Sequence, residues 1–201
     1  IILATVVGYF YGKLLNAVKG SEMTIATYAG FSITAFMCLL WLLIPFKSPN
    51  MGWFIGQGLR ETIQLDVIGA SMILNNFLGF SIGPDFYFPT GMILFFLLFC
   101  FLVGAFFKSR HGIAISAVGS SNSFSEASGL NINRNRILAN ILSTILGAIG
   151  IVVYSQSYGY AQLYNAPLTM AFAAVAAILI GGASAQRAKV SHVILGVFLF
   201  Q

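Results

Sequence analysis

His111 and His192 are the first residues to test for chemistry, and neither has a Cys, Asp or Glu at helical ligand spacing. A protein metal site draws on several such donors, so no bound metal is expected. The run "GYFYGKL" (8–14) has one residue too few between its glycines for a phosphate-cradling loop, and no Ser or Thr follows Lys13. "GQG" at 56–58 runs into "LRE", without the third glycine of a dinucleotide fingerprint. Cys38 and Cys100 sit inside apolar runs, where a thiol packs as a small hydrophobe. No nucleophile–base pair is visible, so no catalytic residue is assigned and a membrane-bound enzyme ranks last. A chain with these residues is not expected to hydrolyse ATP or hold a cofactor by itself. Any uphill transport must draw on an ion gradient or on another subunit.

The carboxylates bear on which. Glu22, Glu61, Asp66 and Asp85 fall at segment ends or in loops, and Glu126 falls in a polar stretch. Ion-coupled carriers usually keep ionisable groups near the membrane midplane, so this placement argues against a proton or sodium carrier. Uncharged polar residues are the remaining candidates. Asn140, Thr144 and Gly147 share one helical face of an otherwise Ile- and Leu-rich segment, with Ser143 beside them. Such a stripe faces either a neighbouring helix or a wet solute path, and both readings stand. Asn75 and Asn76 pose the same pair of readings. The uncharged stretch "YSQSYGYAQLYN" has Tyr or Gln at every second position from 154 to 164. It reads as an interfacial aromatic belt, or as a contact surface where Gln156 and Tyr158 meet a sugar- or nucleoside-like solute.

These residues must be held by a chain that is 58% hydrophobic and only 7% charged, with 19 Phe and 8 Tyr in 201 residues. Soluble domains carry about 25% charge. The mean hydropathy of +0.90 therefore points to lipid as the solvent. The net charge of +5 fits the cytoplasmic loops of a membrane protein better than a nucleic-acid surface, and no nucleic-acid partner is expected. Seven apolar segments are read: 1–18, 24–45, about 67–80, 88–107, 137–154, 167–183 and 192–201. The third is short, and it and the sixth end near Gly or Pro, so either could be re-entrant. The small-residue runs "GYFYG" (8–12) and "MAFAAVAAILIGGA" (170–183) fit close helix packing. Both ends lie in apolar segments, so the chain reads as part of a longer polypeptide. The expected fold is an all-α, polytopic transmembrane bundle forming one domain over 1–201.

Charge sets the expected topology. If 108–136 is cytoplasmic and every segment crosses, then 46–66 and 184–191 are also inside, while 19–23, 81–87 and 155–166 are outside. The inside loops then hold eight cations, Lys47, Arg60, Lys108, Arg110, Arg134, Arg136, Arg187 and Lys189, against Lys19 outside.

The stretch 108–136 cannot span, because Glu126, Arg134 and Arg136 would cost about 3 kcal/mol each at the bilayer centre. "SFSE" predicts Ser123 as N-cap and Glu126 closing a capping box. Gly129 suits the residue just past the helix end, where positive φ is needed. A helix over about 124–128 follows. Ile113, Ala114, Ala117 and Val118 predict an earlier one that Gly119 can stop. Helices this short do not hold alone in water. They dock on a partner, or they fold back on their own bundle.

Here the sequence resembles a known family. "GIAISAVGSSNSFSEASGLNINRNRI" (112–137) is similar to the central cytoplasmic loop of permease subunits of ATP-binding-cassette importers for ribose, other simple sugars, nucleosides and branched-chain amino acids. Ala117, Gly119, Asn122, Ala127, Ser128, Gly129, Leu130 and Asn131 carry the likeness. "FAAVAAILIGGASAQRAKVSHVILG" (172–196) resembles that family's second signature, and "KGSEMTIATYAG" (19–30) looks loosely like its nucleoside-type members. Two departures are Glu126, where an alanine is usual, and "AQRAKVSH", where many members have another Gly-Gly. The resemblance implies that 108–136 forms coupling helices seated in a groove of a cytoplasmic ATP-binding subunit. Gly119, Asn122, Ala127, Gly129 and Leu130 match that loop, and Phe124 and Glu126 join them by helix geometry and capping. It further implies ATP and Mg on the ATPase, an extracytoplasmic solute-binding protein, a second permease subunit and a bacterial inner membrane. The rival is a self-sufficient carrier or channel.

Overall fold

The computed structural model describes residues 1–18, 20–43, 62–65, 69, 71–77, 79–81, 87–162, 166–184 and 188–200. Its helices are α1 (Ile2–Ala17), α2 (Glu22–Leu43), α3 (Ile73–Asn76), α4 (Thr90–Lys108), α5 (Arg110–Ser120), α6 (Asn122–Ala127), α7 (Ile132–Tyr158), α8 (Ala166–Ile180) and α9 (Val190–Phe200). Two small antiparallel ribbons join β1 (Thr62–Gln64) to β4 (Tyr160–Gln162), and β2 (Phe80–Ser81) to β3 (Tyr87–Phe88).

Among the described residues, the only buried apolar side chains are Val118 and Ala177, while Phe10, Phe36, Phe101, Phe172 and Phe198 are exposed. A protein in water hides such side chains, so the apolar surface is the solvated one. Among the described residues α4 and α7 are long and apolar enough to cross a bilayer, and shorter apolar helices cover Ile2–Ala17, Thr24–Leu40, Thr169–Ile180 and Val190–Phe200. At 1.5 Å per residue α7 runs about 40 Å, longer than a hydrocarbon core of about 30 Å. Its charged first turns, through Arg136, thus lie outside that core.

Small residues set two close helix crossings. An added Cβ on Gly8 would sit 2.9 Å from Ile141 Cα, and one on Gly12 would sit 3.1 Å from Ile137 Cα. The Gly8–Gly12 spacing thus brings α1 against α7, as close-packed membrane helices require. In the second crossing Gly196 abuts the Ala177 carbonyl and Gly181 abuts the His192 carbonyl. The adjacent glycines of α8 therefore differ in role. Gly181 admits α9, while Gly182, at φ +90°, ends the helix. The Gly182 and Ala183 amides donate to the Leu179 and Ile178 carbonyls, at 3.0 and 3.2 Å, in a Schellman closure.

The expected topology needs correction in its first half. α1 runs antiparallel to α7, and Asn16 Nδ2 donates to the Asn133 carbonyl at 2.9 Å. Gly20 lines the same cleft as Asn122. The 19–23 turn therefore lies at the same end as 108–136, not at the opposite one. Residues 62–65 lie at the far end, because β1 pairs with β4 and the Leu65 amide donates to the Gly159 carbonyl at 2.8 Å. The Met72 amide donates to the Gln156 carbonyl at 2.9 Å, and Gly91 sits beneath the Leu74 and Phe77 carbonyls. Chain from 62 to 91 thus begins and ends at the far end. The third apolar segment does not cross. Its one helical turn, α3, rises only about 6 Å. Residues 44–61, which hold most of the loop expected inside, lie outside the described residues. Lys13, Lys108, Arg110, Arg134 and Arg136 all belong to the half nearer 108–136.

Candidate functional site

The polar insert folds as two short helices bounded by side-chain and glycine caps. Ser109 turns the chain off α4: its Oγ donates to the Phe106 carbonyl at 2.6 Å and accepts from the Gly112 amide at 3.3 Å. Gly112 permits the corner, since an added Cβ would meet the Phe106 carbonyl and lie 2.5 Å from Phe107 Cα. Gly119 does not stop α5, which runs through it to Ser120.

α6 starts two residues before the sequence suggests. Ser121, not Ser123, is the N-cap, and its Oγ accepts from the Phe124 amide at 3.3 Å. Ser125 is fully buried, with its Oγ donating to the Ser121 carbonyl at 2.8 Å. The capping box over Ser123 and Glu126 is therefore not the device that opens this helix. Its close is as expected. Gly129 adopts φ +74°. The Gly129 and Leu130 amides donate to the Glu126 and Ser125 carbonyls, at 2.9 and 3.0 Å. Asn131 then opens α7, its Oδ1 accepting from the Arg134 amide at 3.0 Å. The "SGLN" stretch is thus two helix ends back to back, a glycine stop and an asparagine start.

The expected coupling residues come together on this unit. Asn122, Phe124, Glu126, Ala127 and Gly129 are exposed, and Leu130 is half-buried. Phe124 keeps 64% of its surface open, and Ile113 of α5 keeps 59%. Two clefts flank the ridge. One of about 570 Å³ is lined by Gly20, Asn122, Glu126, Leu130 and Arg136, among others. One of about 330 Å³ is lined by Gly119, Ser121, Asn122, Asn135 and Arg136, among others. Sequence reasoning did not single out Ser121, Asn135 or Arg136 within the 108–136 loop, and it gave Asn131 a place in the family likeness but no capping role. Asn135, buried, donates through Nδ2 to the Asn131 carbonyl at 3.0 Å. The signal that could have found Asn131 is its type: an Asn directly before a long apolar-periodic run is a helix start.

The six candidate pathway residues fall in two groups. Asn140 and Thr144 lie in the α1–α7 crossing. An added Gly12 Cβ would be 3.4 Å from Asn140 Cβ, and an added Gly8 Cβ 3.0 Å from Thr144 Oγ1. Each also bonds within its own helix, Asn140 Nδ2 to the Arg136 carbonyl and Thr144 Oγ1 to the Asn140 carbonyl, at 3.0 and 2.8 Å. Asn75, Asn76, Gln156 and Tyr158 belong to the far end. There Asn75 Nδ2 donates to Ser157 Oγ at 3.4 Å, and Ser157 Oγ reaches Met92 S at 3.8 Å. The Tyr158 ring packs on Tyr154 with centroids 4.5 Å apart and on Tyr160 at 6.1 Å. Along α7 about 27 Å separates Asn140 from Tyr158. Among the described residues no group of three His, Cys, Asp or Glu converges on a metal-sized site.

A family model described as branched-chain amino acid transport system / permease component matches residues 1–201. The chain belongs to this family of ABC-transporter permeases. It is also similar to the nucleoside ABC transporter permease protein NupC of Lactococcus lactis subsp. cremoris (strain MG1363). The two are 23% identical over 195 residues, covering 94% of this chain and 60% of the relative. The permease chain thus spans three fifths of that relative's length. No solved structure matches it. Family membership makes the chain a permease component of an ABC transporter, a class of permease that works with an ATPase.

Proposed function

We propose that this permease forms the membrane pathway of an ATP-driven importer, and that α5 and α6 are its contact with a separate cytoplasmic ATP-binding subunit. The observation that carries the reading is the capped, exposed α5–α6 ridge, joined to a helix that runs the full depth of the molecule. Phe124 stands out of it as the largest open apolar side chain on α6. Movement of the ridge passes through the Gly129–Asn131 elbow into α7, and α7 carries it to the far-end ribbon through the Gln156 and Gly159 carbonyls. The cations gathered at the ridge end support a cytoplasmic placement for it. ATP and Mg belong to the ATPase partner.

The solute is a small uncharged polar organic molecule, a sugar or nucleoside. Tyr154, Tyr158 and Tyr160 offer flat rings at the far end, where Asn75 of α3 donates to Ser157 and Gln156 belongs to the same last turns of α7. No Lys or Arg belongs to α3, β1, β4 or the stretch of α7 after Arg136 to select a charged solute. The relative named for nucleosides favours the same class. An extracytoplasmic binding protein would deliver the solute, and a second permease subunit, alike or related, would complete the pathway in a bacterial inner membrane.

The test is reconstitution of the full-length permease with its ATPase and binding protein, with uptake of labelled nucleosides and sugars followed with and without ATP. Uptake that needs ATP and the ATPase supports the proposal. Uptake that persists without either shows a self-sufficient carrier or channel instead.

A further inference from the structure

We propose that the cleft between the α1–α2 turn and the α6–α7 elbow seats the headgroup of a phosphatidylethanolamine lipid, its phosphate on Arg136 and its primary ammonium on Glu126. The cleft measures about 570 Å³, within the range of about 300–1,000 Å³ typical of small-molecule sites. Its lining holds one guanidinium, Arg136, one carboxylate, Glu126, and three carboxamides, Asn122, Asn131 and Asn133. A simple anion would meet Glu126 and a simple cation would meet Arg136. A zwitterion matches both charges, and carboxamides serve either end. The guanidinium matches phosphate oxygens in a two-pronged fork.

The depth of the cleft selects a lipid over a soluble zwitterion. Arg136 is the last charged residue of α7, and the apolar run begins at Ile137. The site therefore sits where headgroups lie. The helices α1 and α2, which the turn at Gly20 joins, leave Phe10, Tyr28 and Phe31 exposed. Glu126 is available because Ser121, not a capping box, opens α6. Glu126 belongs to α6 and Arg136 to α7, so one headgroup would bridge the two helices that the Gly129 elbow joins. The binding site rests on membrane embedding alone. Only its effect on coupling rests on the proposed contact with an ATPase.

The test is lipid retention by the purified, delipidated permease, measured by native mass spectrometry with phosphatidylethanolamine, phosphatidylcholine and phosphatidylglycerol of identical chains. Retention of phosphatidylethanolamine over the other two by about tenfold is expected, the worth of one charge-assisted contact. Choline lacks the N–H that a carboxylate accepts, and glycerol lacks the cation. Glu126→Gln is expected to erase this preference, and Arg136→Gln to lower retention of all three lipids. Both side chains line an open cleft, and the wild-type lipid series needs no variant. Equal retention of the three lipids, or variants with an unchanged pattern, overturns the proposal. Soluble glycerophosphoethanolamine competing as tightly as the lipid also overturns it, in favour of a free zwitterion. An ATPase pull-down with the wild-type permease reports the docking reading independently.

Discussion

Replacing Gly8 with alanine tests the α1–α7 crossing that sets the frame for everything at the ridge end. The new Cβ would lie 2.9 Å from Ile141 Cα, 3.0 Å from Thr144 Oγ1 and 3.2 Å from Thr144 Cβ. Ordinary carbon contacts fall at about 3.5–4.0 Å, and the nearest atom is backbone, which no rotamer change can move. The helices must therefore part by roughly 0.6–1 Å, stretching the 2.9 Å bond from Asn16 to the Asn133 carbonyl. Overpacking of this kind costs about 1–3 kcal/mol. For a chain of this size that lowers the unfolding midpoint by about 3–10 °C. Gly12→Ala is expected to cost less, since its closest approach is 3.1 Å to Ile137 Cα, and Gly147→Ala nothing, since no atom lies within 4 Å of its added Cβ. Thermal unfolding of the three variants in one detergent gives the ranking. Gly8→Ala as stable as wild type, or less stable than neither of the other two, would refute the reasoning.

Further expectations concern the ridge and the topology. Phe124→Ala should weaken ATPase binding about tenfold or more while leaving thermal stability unchanged, because an exposed anchor contributes only when docked; unchanged affinity in a pull-down removes that role. Gly129→Ala should destabilise the elbow by about 1–2 kcal/mol, since φ +74° places a Cβ in the left-handed region; a change below the error of thermal unfolding counts against it. Asn131→Ala should cost about 1 kcal/mol through the lost N-cap, and the same assay reads it. Cysteines at positions 21 and 122 should label from one side of the membrane and a cysteine at 160 from the other; opposite labelling of 21 and 122 would restore the topology expected from charge counting.

The long apolar helices were legible in the sequence because length and hydropathy suffice for them. The readings 1–18, 24–45, 88–107 and 137–154 correspond to α1, α2, α4 and α7 within a few residues. The third apolar segment was not, since composition does not distinguish a span from a re-entrant turn. Ile73, Leu74, Phe77 and Phe80 would suit either, and only the hydrogen bonds from Leu65 and Met72 to α7 separate the two. One misjudged crossing inverts every loop before it, so the error passed to 19–23 and 62–65. At the ridge, Gly129 was legible because positive φ is a property of glycine itself. The α6 start was ambiguous because Ser121 and Ser123 are both good N-caps, and tertiary burial of Ser125 decides between them. Asn140 and Thr144 were legible as a stripe. What covers it was not, because the two glycines that press on it lie more than 100 residues away in α1.

The account turns on the ridge facing the cytoplasm, where an ATPase can reach it. Asn122→Cys, in a permease with Cys38 and Cys100 replaced by alanine, reports this with a membrane-impermeant maleimide. No labelling in intact cells and full labelling in inside-out vesicles is the expected result. Labelling of the introduced thiol in intact cells would place the ridge outside and contradict the account.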